Sequence, residues 1–149
     1  MSDVFTRVTK TLTGIDVSIN SGKSKRITRP LSAVILSKGV FASKSICVFS
    51  RNFMEAVTKR MNIPSDASDE DVQLYFKEYL NITYGRIISS LNGILKRPSR
   101  FLIPVIIPGV YKESFPNTLS NFCEITLHCE FGDMKITTAY EVLPEHSNN

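Results

Sequence analysis

The chain has 149 residues, of which 42% are hydrophobic and 21% charged, with 7 Gly and 7 Pro. Those values describe one globular domain, 1–149, and exclude a disordered, collagenous or coiled-coil chain. Its 18 basic and 14 acidic side chains give a net charge of +4; the excess is scattered, so nucleic acid is not an expected partner.

The N-terminus has no apolar signal core and no apolar run approaches the ~18 residues of a membrane span, so the expected setting is the cytoplasm, away from the membrane. Val4, Phe5, Val8 and Leu12 sit at helical spacing, with Ser2 as a candidate cap and Gly14 as a stop. Val17 and Ile19 alternate with polar residues, and Ser21-Gly22 reads as a turn. Leu31 to Leu36 reads as a strand, Lys38-Gly39 as a turn, and Val40 to Phe49 as its antiparallel partner. Phe53, Val57 and Met61, four apart, then predict a second helix.

Pro64 to Ala67 reads as a loop, and Ser68 followed by Asp69, Glu70 and Asp71 is a strong helix start. The Ser68 hydroxyl can cap a free N–H, Asp71 holds the capping-box position, and three acids suit the positive end of the helix dipole. This helix is predicted to run to Lys96-Arg97, before Pro98. Phe101 to Ile107 reads as a buried strand, in which Pro104 argues for an edge or a bulge. Glu124 to Phe131 alternates, and Gly132-Asp133 reads as a two-residue hairpin loop pairing Cys129 with Ile136 and Leu127 with Thr138. The tail from Pro144 to Asn149 is polar and expected to fray. The fold class is α+β: antiparallel hairpins in a mixed sheet, with a long amphipathic helix and shorter helices packed on it.

At about 100° per residue, Phe76, Leu80, Ile87, Leu91 and Ile94, flanked by Val72 and Tyr84, form the core stripe of the long helix. Glu78, Asn81 and Gly85 stand on the opposite face, with Leu74, Ile82 and Ile88 beside them. A glycine in mid-helix costs about 1 kcal/mol against alanine, so its missing side chain suggests the close approach of a partner. The bland alternative is that a carboxylate and an amide merely decorate a solvated face.

Glu78-x-x-Asn81, then 22 residues, then Pro104, resembles the E-x2-N-x22-P motif of the CheC/CheX phosphatases of bacterial chemotaxis. The surroundings, Tyr79-Leu80-Asn81-Ile82, Leu91-Asn92-Gly93 and Ile103 to Gly109, are similar to the CheX pattern. The order of elements agrees over nearly the whole chain, and the single Glu/Asn pair looks like the CheX type. One position departs: the family motif usually opens with Asp or Ser four residues before the Glu, and here Leu74 stands there. The resemblance implies a phosphatase for the aspartyl phosphate of a CheY-like response-regulator receiver domain, in chemotaxis or two-component signalling. It implies Glu78 and Asn81 as catalytic residues, with Asn81 orienting the attacking water and Glu78 pairing with the partner's lysine. Leu74, Ile82, Gly85 and Ile88 would meet the partner, and Pro104 would be structural. No cofactor of its own is implied, since Mg2+ would sit in the receiver, and a homodimer is implied. The alternative is a non-catalytic CheX-like module that binds a receiver domain or itself.

Other chemistry finds little support. Cys47, Cys123 and Cys129 are an odd number without CxxC spacing, which reads as reduced, buried thiols. His128 and Cys129 are neighbours on a strand and point to opposite faces, Cys129 inward and His128 to the surface, so no metal site is expected. Gly22-Lys23-Ser24 ends like a P-loop, but Val17 stands where the first glycine must be. Tyr75, Tyr79 and Tyr84 read as packing.

Overall fold

The computed structural model describes residues 2–19, 27–111, 115 and 118–143. The turn expected at Ser21-Gly22, the Gly22-Lys23-Ser24 segment and the tail 144–149 lie outside them. Helices α1 (Ser2–Thr13), α2 (Arg51–Arg60) and α3 (Asp69–Leu95) accompany strands β1 (Ser18–Ile19), β2 (Pro30–Gly39), β3 (Phe41–Ser50), β4 (Ser99–Phe101), β5 (Val105–Pro108), β6 (Asn121–Cys129) and β7 (Gly132–Val142). The strands form one sheet in the order β1-β6-β7-β3-β2-β4, with β5 also on β2. Every ladder is antiparallel, where a mixed sheet was expected.

Alternation builds the inner face. Leu31, Ala33, Ile35, Cys47, Phe49, Leu127, Met134 and Ile136 are all buried and share one core with Phe5, Phe53, Phe76 and Leu80 from the helices. Helix ends follow local chemistry. Ser50 caps α2 by accepting from the Phe53 N–H, and Ser68 caps α3 with Asp71 completing the expected capping box. The long helix stops slightly earlier than expected, at Leu95, because Lys96 turns left-handed (φ 58°). Its last turn outruns the core: Ile94, expected inside, is 74% exposed.

Two strand expectations are corrected. The segment Phe101 to Ile107 is two short edge pieces, β4 and β5, broken around the buried Pro104. Facing no further strand among the described residues, it leaves Ile103 and Val105 exposed. The last hairpin turns at Glu130-Phe131, so Cys129 pairs with Gly132 and Leu127 with Met134. Gly132 serves close approach: it has φ +125°, and a Cβ there would lie 2.9 Å from the Ser50 hydroxyl. Phe131 leaves the ladder and lies under the Arg60 guanidinium, 4.7 Å from it. The Asp133 carboxylate, read as a turn residue, is buried and lies 2.5 Å from Nδ1 of His128. His128 is therefore half-buried rather than a plain surface residue.

Candidate functional site

The turns of α3 around Glu78 and Asn81 are fixed by what lies beneath them. Phe76, Tyr79, Leu80 and Thr83 bracket the pair in sequence, and each is 0% exposed. The Phe76 ring lies 4.5 Å from Phe49 and 5.3 Å from Tyr79. The Tyr79 and Thr9 hydroxyls share a buried hydrogen bond of 2.6 Å, which ties α3 to α1. The Thr83 hydroxyl donates to the Tyr79 carbonyl at 2.9 Å. Residues at positions 78 and 81 therefore project from a helix surface with no freedom to roll.

On that surface Glu78 is exposed and Asn81 half-buried. Among the described residues neither side chain has a hydrogen-bond or ion-pair partner. Leu74, 60% exposed, lies one turn earlier in the same line. From Leu74 to Gly85 this strip is about 16 Å long, at 1.5 Å per residue.

Beyond Gly85 the edge strand meets part of the outer face, while Arg86, Ser89, Ser90 and Gly93 stay exposed. A Cβ on Gly85 would lie 3.8 Å from the Phe101 ring of β4. About two turns later, the Asn92 amide clasps Ser99 of β4, accepting from its N–H at 2.8 Å and donating to its carbonyl at 3.2 Å. Ile88 lies between these two contacts in sequence and is only 6% exposed. Expected as a partner contact, it is instead buried. Ile82 is half-buried and turns toward α1, where it lines a groove with Val8 and Leu12. Leu74, Glu78, Asn81 and Gly85 thus remain together, Ile88 is excluded, and Pro104 is buried at the break in the edge strand.

Other reactive groups are held inert. Burial pushes the Cys47 thiol up to about 12, against a smaller opposing effect of its contact with the Tyr84 hydroxyl. Burial likewise raises the Tyr79 and Tyr84 phenols, so all three stay neutral near pH 7. Cys129 is buried, whereas Cys123, expected inside, is exposed. Among the described residues no three His, Cys, Asp or Glu side chains are grouped to hold a metal ion. No described helix is long and apolar enough to cross a membrane.

Comparison with solved structures places this architecture. A chemotaxis protein CheX from Desulfovibrio desulfuricans superposes with a TM-score of 0.73 at 20% identity, covering 94% of this chain and 95% of the other. The chain has the CheX-like fold. CheX from Vibrio vulnificus matches with a TM-score of 0.73 at 15% identity, over 94% and 93% of the two chains. CheX of Borrelia burgdorferi, solved as a CheX-CheY-BeF3-Mg+2 complex, matches at 0.66 and 16% identity over 94% of both. No family model and no curated protein sequence matches the chain. At these identities the CheX likeness is one of fold, and residue roles rest on the motif and its geometry.

Proposed function

We propose that this CheX-like chain is a phosphatase acting on the aspartyl phosphate of a CheY-like receiver domain. The carrying observation is the Glu78–Asn81 pair, unpartnered among the described residues and standing on helical turns locked by four fully buried neighbours. A fold neighbour, the Borrelia burgdorferi CheX, is solved with CheY, which supports a receiver as partner. Phosphoryl transfer asks a protein mainly for positioning and charge stabilisation. The Asn81 amide can donate and accept at once, so it holds a water in line without a shifted pKa. Fixing that water is worth on the order of several kcal/mol. Glu78 pairs with the receiver's lysine and sets the register of the two proteins. The receiver supplies the phosphoryl group and the Mg2+; this chain brings no cofactor of its own. The working form is a cytoplasmic homodimer.

The test is the decay of a phosphorylated receiver, followed as phosphate release, with wild type and Asn81→Ala. Asn81→Ala is expected to bind the receiver and keep its melting temperature while losing the acceleration. Acceleration retained by Asn81→Ala overturns the assignment. A second reading, a module that binds a receiver without catalysis, is favoured by one observation: an exposed leucine, Leu74, occupies the line where the family motif has Asp or Ser. Binding without any acceleration by wild type would establish that reading instead.

A further inference from the structure

Helices α1 and α3 face each other across a groove of about 380 Å3, within the range of small-ligand pockets. Its floor is apolar, made by Val8, Leu12 and Ile82. It is also lined by two arginines, Arg7 from α1 and Arg86 from α3, and by Thr11, Ser89 and Ser90, all five at exposed positions. Among the described residues no carboxylate lines it. Among the described residues neither arginine has an ion-pair partner, although elsewhere on this surface Lys10 pairs with Asp16 at 2.9 Å.

The spacing explains the convergence. Arg7 and Thr11 are one turn apart on α1, and Ile82, Arg86 and Ser90 are successive turns on α3. The two stripes are held in register by the buried Thr9–Tyr79 hydrogen bond at 2.6 Å. Two like charges lining one concavity, with no acid among its described lining residues, repel each other and are relieved by an anion. Guanidiniums bind phosphate with paired, charge-assisted hydrogen bonds, and hydroxyls add further donors. Bare phosphate would leave the apolar floor wet.

We propose that this groove binds a phosphorylated small molecule of the nucleotide class, its phosphate between Arg7 and Arg86 and its flat body on Val8, Leu12 and Ile82. The site adjoins the Glu78–Asn81 pair on α3, Ile82 following Asn81 directly, but its binding of a nucleotide does not rest on the phosphatase reading. The test is calorimetric titration of the full chain with GMP, guanosine and inorganic phosphate at 0.15 M salt. GMP is expected to bind with a dissociation constant below about 1 mM, and guanosine and phosphate each at least tenfold more weakly. Arg7→Ala and Arg86→Ala, both at exposed positions, are each expected to weaken GMP about tenfold with unchanged melting, and lysine at either position to restore only part of the loss. Absence of GMP binding by wild type overturns the proposal. So does undiminished binding by the Arg7→Ala/Arg86→Ala double variant, or phosphate binding as tightly as GMP.

Discussion

Gly85→Ala separates docking from packing on α3. An interior helical glycine replaced by alanine gains about 1 kcal/mol of helix propensity. Nothing in the fold opposes that gain: the new Cβ would lie 3.8 Å from the Phe101 ring, an ordinary contact, and Gly85 is not among the glycines with positive φ. For a domain of this size the melting temperature should therefore rise by roughly 2–4 °C. If a receiver packs closely along the strip from Leu74 to Gly85, the same methyl is a misfit. Overpacking costs about 1–3 kcal/mol, and 1.4 kcal/mol is tenfold in affinity. The expected result is a more stable protein that accelerates receiver dephosphorylation about tenfold less at sub-saturating concentration. Thermal melting and a phosphate-release assay on one preparation read both. A lower melting temperature would show that the glycine serves packing against Phe101. A higher one with an unchanged rate would show that no partner approaches Gly85.

Alkali should weaken the fold: the Cys47 thiol, ordinarily 9.0, is pushed up to about 12, so between those values it stays protonated in the folded state and ionises in the unfolded one. Stability is then full below pH 9 and falls by up to about 1.4 kcal/mol per pH unit from pH 9 toward 12, with Tyr79 and Tyr84 adding their loss from pH 10; equal urea midpoints at pH 8 and 10.5 would contradict this. Leu74→Asp restores the acid with which the family motif opens and is expected to raise the dephosphorylation rate, with unchanged melting; an unchanged or lower maximal rate would make the acid dispensable. The β4–β5 edge, with Ile103 76% and Val105 54% exposed, is open to strand pairing. Sedimentation is expected to give a dimer at micromolar concentration, and a monomer would refute that.

What could be read from the sequence was what short-range chemistry decides. Ser68 and Asp71 fix the start of α3 through their own hydrogen bonds, and alternation fixes which face Leu127 and Met134 share. Alternation does not fix register beyond parity, because a shift of two residues keeps every side chain on its face. The last hairpin lies four residues from the expected pairing, two such steps, with Gly132 set against Ser50 far away in the chain and Asp133 against His128 across the hairpin itself. The site divides in the same way. The helical period placed Glu78 and Asn81 on the outer face, but it could not know that β4 returns against the far end of that face, with Ser99 held by Asn92. Nor did it show that Ile88 is buried. The groove between Arg7 and Arg86 depends on two helices meeting, and no local pattern announces it.

The place of Leu74, exposed and one turn before Glu78, also decides how the Leu74 variant must be measured. A receiver that meets Glu78 and Asn81 as proposed reaches that turn as well, so position 74 falls inside the proposed contact. An exposed leucine there adds apolar burial of about 25 cal/mol per Å2 covered. That attraction is the same before and during phosphoryl transfer, so it lowers KM and leaves kcat untouched. An acid at the same place loses that burial and acts only on charge near the reacting centre. Leu74→Asp should therefore raise KM and raise kcat together. A measurement at one low receiver concentration would let the two cancel. Full saturation curves separate them, and an increase in KM with no increase in kcat would show that position 74 serves binding alone.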